Sequence, residues 1–118
     1  MNSYSLTLPL PPTINTYYGS NGNRRYIKPA GVAFRQEVAL AVRLLKMPTL
    51  TGRLWVSVRV FPRDRRLQDI SNRIKALEDA LQHAGAFLND EQIDHIEADR
   101  DKIFSGGKCE VLIGEINA

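Results

Sequence analysis

Between Arg53 and Phe61 every second residue is apolar, so that Leu54, Val56, Val58 and Val60 share one face and Trp55, Ser57 and Arg59 the other. A period of two over this length is a half-buried strand, and Pro62 closes it. The patterns on either side are helical. From Ala30 to Lys46 the positions Val32, Phe34, Val38, Ala41, Val42 and Leu45 recur at helical spacing until Pro48 stops them. Beyond the strand, Ile70, Ile74, Leu77, Ala80, Leu81 and Ala84 form a second stripe, with Asp69 or Ser71 as its N-cap and Gly85 as its C-terminal signal.

The remaining segments complete the order. Ser3 to Leu8 alternates as an opening strand and ends at Pro9, Pro11 and Pro12, while Asn15 to Lys28 reads as a basic loop or short hairpin. Arg63 to Gln68 is a charged connector, Ile93 to Ile103 a strand crowded with acids, and Lys108 to Ile116 a last strand. Ser105-Gly106-Gly107 predicts a hairpin turn between those two. These units are too few for a doubly wound sheet, so the predicted fold class is α+β, a two-layer sandwich of a mixed β-sheet with two main helices. A chain of 118 residues, 43% of them hydrophobic, is long enough for one core, and a single domain over residues 1–118 is expected.

No apolar run approaches the ~18 residues of a membrane span, and the residues after Met1 show no basic region followed by an apolar stretch; a cytoplasmic protein without a membrane partner is expected. The lone Cys109 sits in a strand pattern and reads as packing, and neither His83 nor His95 has a second His or Cys at zinc-ligand spacing.

Charge is divided along the chain. Residues 1–66 hold eleven Lys/Arg against two acids, Glu37 and Asp64, a net +9; residues 67–118 hold five against eleven, a net −6. A basic half suits a polyanion and an acidic half beside it suits a divalent cation, although both also describe ordinary solvated surface. The chemistry concentrates after Pro62. Arg65 and Arg66 lead into Asp69 at a helix start, Lys75 follows, and after the helix comes Leu88-Asn89-Asp90. Phosphodiester hydrolysis needs such parts: carboxylates to hold a hard cation that polarises the phosphate and activates water, and a lysine for the developing charge. Taken singly, Asp69 is a helix cap, and Lys75, Glu78 and Asp79 are solvated helix residues.

Taken together they resemble the RusA family of Holliday junction resolvases. Leu8-Pro9-Leu10-Pro11-Pro12 followed by Asn15 and Tyr17-Tyr18 is similar to the family's opening strand and turn, Asp69-x-x-Asn72-x-x-Lys75-x-x-x-Asp79-Ala80-Leu81 to its central helix, Leu88-x-Asp90 to its downstream acids, and Gly106-Gly107 falls before the last strand. The resemblance implies a homodimeric crossover junction endodeoxyribonuclease of the kind often carried by phages or prophages. It would use Mg2+, with Mn2+ as a substitute, and would need no small-molecule cofactor to nick branched DNA. Asp69 and Asp90 match metal-binding catalytic aspartates and Lys75 the catalytic lysine. Arg65, Arg66 and Arg73 would meet DNA together with Arg24, Arg25 and Lys28 of the basic loop.

The pattern departs from the family at two places. Ser71 stands where the family has a second aspartate, and Asn89 precedes Asp90 where it tends to have two acids. A hydroxyl ligates magnesium without bringing charge, and Glu78, seven residues along the same helix face as Ser71, is a weaker source of the missing carboxylate. Three readings therefore stand: an active resolvase, a junction-binding protein whose catalysis is reduced or lost through Ser71, and an unrelated RNA-binding or interaction domain. Geometry adds a condition, because a helix from Ile70 to Ala84 is roughly 22 Å long while the six steps to Asp90 reach at most about 20 Å. Asp90 returns to Asp69 within one chain only if the helix is short or bent or the return nearly straight; otherwise the acids meet across a dimer.

Overall fold

Strand partners follow burial more closely than they follow chain order. The computed structural model of the protein describes residues 3–66 and 68–116, so Leu67 of the expected connector lies outside the described residues. The elements are β1 (Ser3–Leu8), a single helical turn α1 (Ile14–Tyr17), a small hairpin of β2 (Tyr18–Asn21) and β3 (Arg24–Ile27), and α2 (Pro29–Leu44). They continue with β4 (Leu54–Phe61), α3 (Ser71–His83), a 3-10 turn (Asp90–Gln92), β5 (Ile93–Arg100) and β6 (Lys108–Glu115). The main sheet runs β1-β6-β4-β5, with β6 antiparallel to both neighbours and β5 parallel to β4. This is the expected mixed sheet of an α+β fold.

The expected hairpin between β5 and β6 is not formed. The chain does turn at Gly106 and Gly107, whose φ of 85° and 75° suit glycine, and the Gly107 N–H donates to the Phe104 carbonyl at 2.7 Å. It then passes β4 and inserts β6 between β4 and β1. Side-chain chemistry explains the choice. Every residue of β5 from Asp94 to Arg100 is exposed, which suits an edge, whereas Cys109, Val111 and Ile113 of β6 are buried and need neighbours on both sides. β5 ends at Arg100, one residue short of the last rung, in which the Asp101 N–H donates to the Val60 carbonyl at 2.8 Å.

The buried face of β4 (Leu54, Val56, Val58, Val60) lies between Leu6 and Leu8 of β1, the apolar side of β6, and two helices. α2 contributes Phe34, Val38 and Val42, and α3 contributes Ala76, Leu77, Ala80 and Leu81. α2 starts with Pro29, whose missing N–H would be unpaired there in any case. α3 is shorter than its stripe suggests and ends where Gly85 adopts a φ of 84°, its N–H on the Gln82 carbonyl at 3.0 Å.

The return from α3 to β5 is held by one polar side chain inside the protein. Gln92 is 8% exposed; its Oε1 accepts from the Leu88 and Asn89 N–H groups at 2.8 and 2.9 Å, and its Nε2 donates to the Leu50 and Gly52 carbonyls at 3.1 and 2.8 Å. Four backbone groups that have left regular structure are satisfied in this way. Gln92→Leu keeps the volume and strands all four. It should cost about 3 kcal/mol in a urea melt, and a loss below about 0.5 kcal/mol would show that the turn stands without Gln92.

Candidate functional site

Every strand-to-helix entry leaves backbone donors that need partners, and at α3 the partner is Asp69. Its Oδ1 accepts from the Ser71 N–H at 3.1 Å and from the Ser71 hydroxyl at 2.7 Å. The Ser71 hydroxyl and then the backbone N–H groups hold the exposed Asp69 carboxyl below its ordinary range. The N-cap position is Ile70, which makes no side-chain cap bond, so neither Asp69 nor Ser71 is the expected cap; Asp69 accepts from just outside the helix, and Ser71 spends its only hydroxyl proton on it.

From there the polar face of α3 runs through Lys75, Glu78 and Asp79, opposite the buried Ala76, Leu77, Ala80 and Leu81. Asp90 is carried to this face by the turn that Gln92 anchors. Asn89 caps the turn, and the Asp90 N–H donates to Gln82 Oε1 of the last turn of α3 at 2.9 Å. Lys75 Nζ then lies 3.2 Å from Asp90 Oδ2. That contact raises the Lys75 pKa, so the ammonium stays charged. Glu78 completes the group. Burial raises its carboxyl, with Lys75 opposing and the negative Asp90 reinforcing the shift.

The structure brings Lys75, Glu78 and Asp90 together within one chain, and Asp69 stands at the head of the same helix. The helix is thirteen residues, about 20 Å, and the return after it brings Asp90 to Lys75. Among the described residues, however, no three His, Cys, Asp or Glu side chains are gathered closely enough to hold one ion. Asp69, Glu78 and Asp90 therefore do not form a ready-made three-acid cage.

Asp79 takes a different role. Tyr17 is fully buried and its hydroxyl donates to Asp79, while Arg35 donates to Asp79 Oδ2 at 2.7 Å and to the Tyr17 hydroxyl at 2.8 Å. This corrects the reading of Tyr17 as part of a basic loop: one turn of helix removes it to the core, where it ties α1 and α2 to α3. Only the neighbouring residues form the cationic hairpin. Arg24, Arg25 and Tyr26 are exposed, Arg25 lies over the Tyr18 ring at 3.9 Å, and Lys28 Nζ holds the Asn15 carbonyl at 2.8 Å. Together they border a cavity of about 580 Å³.

Arg65 and Arg66 are also exposed, with Arg66 on Asp64 at 2.8 Å. Arg73 is not. It is 7% exposed and donates to the Pro11 carbonyl and, at 2.8 Å, to Gln68 Oε1, which corrects its placement on a DNA-facing surface. Its helical position shares the stripe of Ala76, Leu77 and Ala80, so the guanidinium is drawn inward to the carbonyl that the Pro11-Pro12 turn leaves unpaired. The sequence reading missed Arg35, Gln82 and Gln92: Asn89-x-x-Gln92 is a capping-box spacing that could have flagged Gln92, whereas Arg35 reaches Asp79 from a distant segment with no motif to mark it.

A family model described as Endodeoxyribonuclease RusA matches residues 9–113. A crossover junction endodeoxyribonuclease rusA of Enterobacteria phage HK97 is 37% identical over 119 residues, covering 100% of this chain and 99% of that protein. The crossover junction endodeoxyribonuclease RusA of Escherichia coli (strain K12) is 37% identical over 121 residues, 98% of each chain, and that of Shigella sonnei (strain Ss046) is equally similar.

The Asp79 cluster makes a pH prediction. Burial alone would raise the Asp79 carboxyl, but the Tyr17 hydroxyl and the Arg35 guanidinium outweigh it and hold the carboxyl below its ordinary range. A carboxyl depressed in the folded state adds stability that is complete above its unfolded value of ~3.9 and is lost as pH falls through the folded value. Asp79→Asn should therefore be about 2 kcal/mol less stable than the parent near neutrality, and the two urea midpoints should converge below pH ~4. A gap that stays constant down to pH 3 would remove Asp79 from the acid response.

Proposed function

Because the chain belongs to the RusA family of endodeoxyribonucleases, we propose that it binds four-way DNA junctions as a homodimer and resolves them by paired, magnesium-dependent nicks. One observation carries the reading: a charged lysine in contact with Asp90 on the exposed face of a helix headed by Asp69, beside an arginine-rich hairpin. One such strip per chain and two strands to cut in a junction call for two chains. A DNA substrate supports a cytoplasmic location.

The donor chemistry fits a hard divalent cation. Mg2+ takes one or two carboxylates and fills its remaining positions with water and phosphate oxygens, so Asp90 with Glu78, and Asp69 at the helix head, are the residues that would hold it or Mn2+. Bound there, the ion supplies Lewis acidity toward the phosphate and lowers the pKa of water. The protein's own groups do the rest. Lys75, kept protonated by Asp90, presents a fixed positive charge to the phosphate as charge grows on its oxygens. As hydrolysis proceeds, a water oxygen bonds to phosphorus, one P–O ester bond breaks and the leaving oxygen gains a proton. Arg24, Arg25 and Lys28 pair with the backbone and set the strand's position.

The Ser71 hydroxyl on Asp69 also favours a second reading, a junction-binding protein with reduced or lost catalysis, because no additional charge draws an ion to the helix head. A synthetic four-way junction incubated with Mg2+, Mn2+ or chelator separates the two. We expect metal-dependent nicking that falls about 10²-fold or more in Lys75→Ala and Asp69→Asn with binding retained, and half-maximal nicking at lower Mg2+ in Ser71→Asp. Nicking that persists in Asp69→Asn would take Asp69 out of the reaction, and tight junction binding without nicking in either metal would establish the second reading. The hairpin has its own signature. Replacing Arg24, Arg25 and Lys28 with Ala should flatten the salt dependence of junction binding by up to about 0.9 in log–log slope for each phosphate contact removed; an unchanged slope would take the hairpin out of the interface.

A further inference from the structure

The acidic half of the chain has five cations, and three are already engaged. Arg73 is buried, Lys75 lies on Asp90, and Lys108 Nζ lies over the rings of Phe61 and Phe104 at 4.7 and 4.4 Å. The other two, Arg100 and Lys102, are exposed and stand together where β5 ends. The parallel pairing of β4 and β5 brings that end beside the connector that leaves β4, so Arg100 and Lys102 face Arg65 and Arg66 across a cavity of about 610 Å³.

Two acids line the same cavity, and each meets an arginine: Asp64 holds Arg66 at 2.8 Å, and Asp101 lies 3.4 Å from Arg59. The half-exposed Ile103 and the edge of the buried Pro62 add apolar lining to the same cavity. Cations on both walls together with apolar lining suit a chain whose charge is on its rim and whose sugars are not charged. The cavity also adjoins the helix head. Arg100 donates to the Gln68 carbonyl at 2.7 Å, one residue before Asp69, and Gln68 Oε1 accepts from Arg73, so the groove wall is hydrogen-bonded to the segment that enters α3.

We propose that this groove holds the phosphodiester backbone of the DNA strand entering the site at Asp69, with Arg65 and Arg66 on one wall and Arg100 and Lys102 on the other. The proposal rests on the function given above and adds two DNA contacts from the acidic half. The contacts are to phosphate and read no base, so their effect is uniform across junction sequences.

The test is junction binding by anisotropy at a series of salt concentrations in chelator, for the parent protein and for Arg100→Ala, Arg100→Lys, Lys102→Ala and Arg65→Ala. Each alanine variant should bind about threefold or more weakly at ~0.15 M salt and should lower the log–log salt slope by about 0.9. Arg100→Lys restores the slope if charge on a phosphate is the cause, which a loss of the Gln68 contact alone would not produce. Parent-like slopes in Arg100→Ala and Lys102→Ala, beside a lowered slope in Arg65→Ala, would overturn the groove and leave the junction function standing. A parent protein that binds duplex as well as it binds junctions would overturn the function itself and the groove with it.

Discussion

Parallel pairing of β4 and β5 is the constraint from which the site follows. Two parallel neighbours cannot be joined by a tight turn, so the chain must cross over the sheet face before it returns. α3 is that crossover, and the apolar face of β4 decides which side of it is buried. One polar strip is left outward, bearing Ser71, Lys75 and Glu78. The connector before the crossover and the strand end after it are brought to the same edge of the sheet. An antiparallel β4 and β5 would have needed no helix between them and would have left Asp69 and Lys75 without a scaffold.

The parts of the backbone that leave regular structure are held by a few long polar side chains rather than by more sheet. Gln92 and Gln82 fix the turn bearing Asp90, and Arg73 with Gln68 fixes the approach to Asp69. Such bonds are short-ranged and directional, and a buried partner left alone is costly. The two acids of the strip are therefore placed by groups that belong to the interior, and the surface residues between them are free to serve the substrate.

Much of this was legible in the amino-acid order because it rests on periodicity. The alternation at Leu54 to Val60, the stripes of α2 and α3 and the stop at Gly85 each report a face that must be buried, and the family motif placed Asp69, Lys75 and Asp90 on one helix and the turn after it. The strand order was not legible. Ser105-Gly106-Gly107 shows that the chain turns but not which strand receives it, and burial had to be compared across β5 and β6 to see that β6 goes inside. Arg73 and Tyr17 misled for a related reason. Both look like surface groups by residue type and neighbourhood, yet helical phase turns each inward, to a carbonyl or a carboxylate contributed by a distant segment.

The hydrogen bond from Ser71 to Asp69 and the ion pair of Lys75 with Asp90 give each acid a protein partner of its own. Clustered bare carboxylates repel, and proteins that rely on them wait for an ion before they become compact. Here Asp69 and Asp90 are each held by a neighbour, while Glu78 is left to burial and to the charge of Asp90. A surface whose Asp69 and Asp90 already have partners is complete before anything binds to it, and whatever binds later meets side chains that are in place.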